Sequence, residues 1–99
     1  MKIKYILKND IFSRDAANLC FQLSDAENVR IIKGESCFNG KSLLGILSNR
    51  LIKGNIITVI IDKDSDAEII RNAFIELGDE IKWWIIECMI KIFLQVQMW

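Results

Sequence analysis

The side chains that most often carry acid–base and nucleophilic chemistry are missing from this sequence or stand alone in it. None of its 99 residues is a histidine, so no imidazole can serve as base, phosphoryl acceptor or metal ligand. The cysteines Cys20, Cys37 and Cys88 are odd in number and widely spaced, with no C-x-x-C pair, which argues against zinc. Each has apolar neighbours, the pattern of buried, reduced thiols in a cytoplasmic protein. Asp62, Asp64, Asp66 and Glu68 alternate as in a calcium loop, but the sharp-turn glycine and the twelfth-position glutamate are absent. Acids entering a helix dipole explain them better. No metal and no cofactor is expected. Two serines remain, Ser13 and Ser42, each placed just before an apolar helical pattern. A serine hydroxyl without a base is not an activated nucleophile. Helix capping, worth about 1 kcal/mol, is the preferred reading of both.

The elements that would position these groups follow from hydrophobic spacing. Ile3, Tyr5 and Leu7 alternate with lysines over residues 2–8, a half-buried strand. From Ser13, the residues Ala16, Ala17, Leu19, Cys20 and Leu23 follow helical spacing, and the helix should stop near 24–27. Residues 29–32 and 35–38 make a hairpin around Lys33-Gly34. Ser42 leads a short apolar helix in which Leu44 and Ile46 are expected in the core. Residues 55–61 form the most apolar strand, which should be central. Ser65 and Glu68 have capping-box spacing, a helical stripe runs from Ile69 to Leu77, and Gly78 suits its stop. The order β-α-β-β-α-β-α predicts an α+β open-faced sandwich, a four-stranded antiparallel sheet packed on helices.

Composition limits partners. A hydrophobic share of 52% with 26% charged residues fits a globular core, and thirteen basic and thirteen acidic side chains cancel, giving no electrostatic reason to expect nucleic acid. The start lacks the long apolar core of a signal peptide. Residues 1–78 read as one domain and 79–99 as an apolar helical extension. Lys82, Glu87 and Lys91 interrupt that extension, so it is not expected to span a membrane. Its apolar side chains would each contribute about 1.5–3 kcal/mol on burial. The extension could cover a face of its own molecule, pair with a second copy, or lie on a membrane surface. Pairing through Trp83, Trp84, Ile90, Phe93 and Trp99 is the preferred expectation, giving a homodimer.

Asn39-Gly40-Lys41-Ser42-Leu43-Leu44-Gly45-Ile46-Leu47-Ser48 resembles the stretch around the regulatory serine of the HPr family, the phosphocarriers of the bacterial sugar phosphotransferase system. Lys53-Gly54-Asn55-Ile56-Ile57-Thr58 is similar to the family's approach to its last strand, and residues 64–78 to its acidic-capped final helix. The resemblance covers about the first 78 residues in element order. It fails where the family places Gly-x-His-Ala-Arg-Pro-Ala. With the last alanine on Ala17, Ser13 stands at the histidine, Arg14 at alanine, Asp15 at arginine and Ala16 at proline. The acceptor is missing, and the Asp15 carboxylate would repel a phosphoryl group.

The resemblance implies a regulatory phosphorylation site at Ser42, where a phosphate would meet a helix dipole beside Lys41. It also implies a protein-docking patch of Ser13, Arg14, Asn18, Gln22, Leu43 and Leu47, with partners from sugar uptake or its transcriptional control. The expected function is therefore a non-catalytic, cytoplasmic HPr-like regulatory or interaction domain, not an enzyme, in a Gram-positive bacterium. The alternatives are a phosphocarrier paralogue or serine-phosphorylated regulator using Ser42 or Ser13, and a structural dimerisation module.

Overall fold

In the computed structural model, which describes residues 1–81, the strands alternate as the sequence does. Strand β1 (Lys2–Leu7) turns Ile3, Tyr5 and Leu7 inward and Lys2, Lys4 and Ile6 outward. After it come α1 (Ser13–Leu23), the hairpin β2 (Val29–Lys33) and β3 (Ser36–Asn39), α2 (Leu43–Ser48) and β4 (Ile56–Ile61). A 3-10 turn at Asp64–Asp66 then leads into α3 (Ala67–Ala73) and β5 (Gly78–Ile81). The sheet has the order β3-β2-β4-β1-β5, all neighbours antiparallel. Strand β4 is central, as its apolar run predicts. Its inward residues Ile57, Val59 and Ile61 join Leu19 and Leu23 of α1, Ile46 of α2, Ile70 of α3 and the following Phe74 in one buried core.

The architecture is the expected open-faced sandwich, with five strands instead of four. Residues 79–81, assigned from the sequence to a helical extension, pair as a strand with the free edge of β1, Ile81 opposite Lys4 and Glu80 opposite Tyr5. Helix α3 stops at Ala73, short of the expected run to Leu77. Residues 74–77 form a turn, after which the Gly78 N–H donates to the Phe74 carbonyl at 3.0 Å. The glycine is also needed by β1, since a Cβ there would lie 3.0 Å from the Ile6 carbonyl oxygen. The triplet Asp79-Glu80-Ile81 carries no strand signal of its own, and an unpaired edge recruits it. Across the edge, the Arg71 Nε meets the Glu80 carboxylate at 3.4 Å. The remainder of the extension, with Trp83, Trp84, Ile90, Phe93 and Trp99, lies outside the described residues.

Tyr5 stacks on Phe74 with ring centroids 4.6 Å apart. Its hydroxyl is buried without a hydrogen-bond partner among the described residues. Burial first, and the Glu80 charge second, push its pKa up to about 12, with Arg71 opposing. Among the described residues no helix is long and apolar enough to cross a membrane.

Candidate functional site

The two serines singled out by the sequence stand at two very different helix starts. At α2 the expectation holds. Ser42 is the N-cap, with extended backbone, and its hydroxyl accepts from the Gly45 N–H at 3.2 Å. The preceding turn is closed by Asn39, whose side-chain oxygen accepts from the Lys41 N–H at 2.8 Å. Gly40 is needed there, because a Cβ would fall 2.7 Å from Val29 Cγ1.

Lys41 does not stand beside Ser42 as a free cation. Its ammonium donates to the carbonyls of Ala26 at 2.8 Å and Glu27 at 3.4 Å. Its own carbonyl accepts from the Cys20 thiol at 3.0 Å. These bonds tie the start of α2 to the far end of α1. At the other end of α2, the Lys33 ammonium donates to the Asn49 and Arg50 carbonyls at 2.8 and 2.9 Å, where the helix dipole favours a cation.

At α1 the cap expectation fails. The cap position is Phe12, not Ser13, and no side chain closes it. Ser13 is the first helical residue and has φ +42, left-handed for a non-glycine. The turn holds this conformation because its flanks are tied to the loop after α2. The Ile11 N–H donates to the Leu51 carbonyl at 2.8 Å, and the Lys53 N–H to an Asp10 carboxylate oxygen at 2.7 Å. Arg50, with φ +46, is the other left-handed non-glycine among the described residues. It precedes Leu51, so both strained residues flank one junction. Asp15 occupies the first turn of α1, where the dipole welcomes its charge and a second anion would be repelled. The Ser65–Glu68 box does not form either, because Ser65 lies within the 3-10 turn and α3 starts after Asp66 without a side-chain cap.

The structure divides the expected docking patch. Leu43 and Leu47 are exposed on α2, at 41% and 40%, and Ser13 and Arg14 on α1. Asn18 and Gln22 instead line a groove between α1 and α3, together with Asp15, Asn72, Ile75 and Glu76. Leu44, expected in the core, is 77% exposed, whereas Ile46 is fully buried. A six-residue helix lying on a sheet has room for one inward side chain, so its other leucines face solvent. Phe21, at 80% exposure, is a further apolar surface residue outside the expected patch. Its signal was legible, since it lies off the Ala16-Leu19-Leu23 stripe. The Ile11–Leu51 bond also brings two more exposed residues, Phe12 and Ile52, to one corner. Cys20 is half-buried, and Cys37 is exposed on β3, contrary to the expectation of buried thiols. A β3 position outside the core layer of an edge strand has nothing packed over it. Among the described residues no cluster of acids and cysteines could hold a metal.

Among the described residues, an antiparallel sheet covered on one face by three helices makes an open-faced α+β sandwich. Residues 2–78 match the family model described as "PTS HPr component phosphorylation site", and the chain belongs to that family. A search of the curated proteins returns no match. Among solved structures, a histidine-containing phosphocarrier protein from Mycoplasma superposes with a TM-score of 0.69 at 24% identity, covering 77% of this chain and 93% of its own. HPr-C-His from Thermoanaerobacter tengcongensis gives 0.64 at 24% identity, covering 77% and 88%. The phosphocarrier protein HPr from Bacillus anthracis gives 0.62 at 24% identity, covering 74% and 88%. At that identity the solved structures speak for the fold.

Proposed function

We propose that this chain is a non-catalytic member of the HPr family that works through protein contacts. The observation that carries the reading is the absence of any histidine from the sequence, in a family described by its phosphorylation site. The position that aligns with the family's acceptor is Ser13, strained, without a base, and two residues from Asp15. No group there can take up a phosphoryl group and pass it on. What remains is surface: Leu43, Leu44 and Leu47 on α2 and Phe21 on α1, exposed on the helix layer. An apolar patch of this kind suits a protein partner, and the family suggests one from sugar uptake or its transcriptional control.

Phosphorylation at Ser42 is the less favoured reading. The Ser42 hydroxyl is engaged as a cap and the Lys41 ammonium is held by two carbonyls. A phosphate there would forfeit the cap without gaining a free cation.

The test is incubation of the full chain with phosphoenolpyruvate and the family's first enzyme, followed by intact-mass spectrometry. No added phosphate is expected, and transfer onto any residue sinks the proposal. In a pull-down with components of the transport system, Leu44→Asp with Leu47→Asp should abolish capture while leaving the circular dichroism of the chain unchanged. Absence of capture by the parent chain would favour a purely structural module.

A further inference from the structure

The edge of the sheet opposite β3 holds a cavity with an unexplained donor in its wall. Between α3 and β5 a space of about 260 Å³ is bounded by Tyr5, Arg71, Phe74, Ile75, Asp79 and Glu80, among others. Tyr5 is 3% exposed, and its hydroxyl meets no hydrogen-bond partner among the described residues. Buried hydroxyls are nearly always paired, and one left alone forfeits its hydration, so each exception calls for an explanation. Tyr5 stands opposite Glu80 across the pair β1–β5, and the charges of Glu80 and Arg71 both act on its phenol. The orphan hydroxyl lies at the charged end of the cavity.

The charges around this cavity come in pairs of opposite sign. The Arg71 Nε meets the Glu80 carboxylate at 3.4 Å, and the Lys8 ammonium meets Asp79 at 3.7 Å. A ligand of net negative charge would face both carboxylates, and one of net positive charge both cations. A zwitterion meets each sign with its opposite. Arg71 reaches Glu80 through Nε, which leaves the outer nitrogens of its fork for a second carboxylate. Ile75, 70% exposed, and the buried Phe74 supply an apolar wall. The space is smaller than the roughly 300–1,000 Å³ of drug-sized pockets, so it suits a small metabolite. We propose that the cavity between α3 and β5 binds a free α-amino acid with an apolar side chain. Its carboxylate accepts from the Arg71 guanidinium and the Tyr5 hydroxyl, its ammonium donates to Glu80, and its side chain lies against Ile75 and Phe74. The Arg71–Glu80 pair is long and partly exposed, so parting it to admit the ligand costs little. Two ion pairs then replace one, and the orphan hydroxyl gains an acceptor. The site is separate from the contacts of α2, because β5 and β3 are opposite edges of the sheet.

Tyr5 is the only tyrosine in the sequence, so its ring resonances in the nuclear magnetic resonance spectrum of the full chain report on the cavity. Titration with L-leucine at neutral pH is expected to move them saturably at millimolar concentration. Isocaproate, which lacks the ammonium, and isoamylamine, which lacks the carboxylate, should each bind at least about tenfold more weakly. Arg71→Gln should weaken L-leucine by about tenfold and leave isoamylamine unchanged, whereas Glu80→Gln should weaken L-leucine and leave isocaproate unchanged. Both positions are partly exposed, so circular dichroism should be retained, and either variant serves if the other fails to fold. Tyr5→Phe, followed by saturation transfer to the leucine methyls, should also weaken binding. A Tyr5 ring that L-leucine does not move overturns the proposal and leaves the hydroxyl to water. Equal binding of L-leucine and isocaproate overturns the assignment to a zwitterion. L-leucine binding that survives Arg71→Gln, Glu80→Gln and Tyr5→Phe unchanged lies elsewhere on the chain and overturns the site.

Discussion

The starts of α1 and α2 carry the same sequence signal, a serine ahead of an apolar helical run, and the molecule uses them in opposite ways. At α2 the serine side chain satisfies a helix N–H, the turn before it is closed by Asn39, and Gly40 lets that turn approach β2. Every local preference agrees with the fold. At α1 the serine has slipped one place into the helix, in a left-handed backbone, and nothing caps it. That start is held from outside, by the Ile11–Leu51 and Asp10–Lys53 bonds. Strain of this kind, of order 1–3 kcal/mol, persists only where the surroundings over-determine it. It falls at Ser13, the position that the resemblance to the family aligns with the phosphoryl acceptor. The start of α1 therefore has a geometry imposed from outside, while the neighbouring helix start is stabilised from within.

The contrast can be broken in several ways. Ile46→Ala removes the buried side chain that anchors α2 and should cost about 2–5 kcal/mol in urea unfolding. A loss below the resolution of the method would mean that α2 is held by its caps alone. Gly40→Ala should cost about 1–3 kcal/mol through overpacking against Val29, read as a lower urea midpoint at unchanged slope. Ser42→Ala should cost about 1 kcal/mol, and Ser13→Ala less than about 0.5 kcal/mol, as for an uninvolved surface residue. Equal losses at the two serines would erase the distinction. Ser13→Gly should stabilise by up to about 1 kcal/mol, the relief of φ outweighing the added freedom of the unfolded chain. A destabilised Ser13→Gly would show that the hydroxyl matters to the turn.

A control remote from both helix starts is Tyr5. Its folded pKa of about 12 lies above the ordinary value of 10.0. The folded chain therefore holds the phenol proton more tightly than the unfolded chain. The associated stability is complete below about pH 10 and is lost as pH rises from 10 toward 12. Tyr5→Phe should flatten that alkaline decline and change stability at neutral pH by about 1 kcal/mol or less, since no hydrogen bond is removed. An alkaline limb that survives in Tyr5→Phe would assign the decline to other groups.

Much of the framework was legible because it rests on local periodicity. The alternation in residues 2–7, the unbroken apolar run of β4 and the glycine of the hairpin turn, Gly34 at φ +59, each determine an element without help from elsewhere. The turn itself is Gly34-Glu35, and Lys33 still pairs in β2. The site was legible only in part. Ser42 reads correctly because capping is decided within a single turn of helix. Ser13 misreads because its backbone is set by the loop after α2, far along the chain. Leu44 misreads because hydrophobicity does not say which side of a short helix meets the sheet, and β5 because an edge recruits its partner by backbone bonds that need no particular side chains.

By itself the sequence determined that no phosphohistidine can form here and that the strands present an inner and an outer face, since composition and a period of two are properties of the chain alone. Only the tertiary structure decided that Ser13 is strained, that Lys41 is spent on Ala26 and Glu27, and that Leu44 is exposed. Each of those depends on what packs opposite a residue, and a chain cannot state that before it is folded.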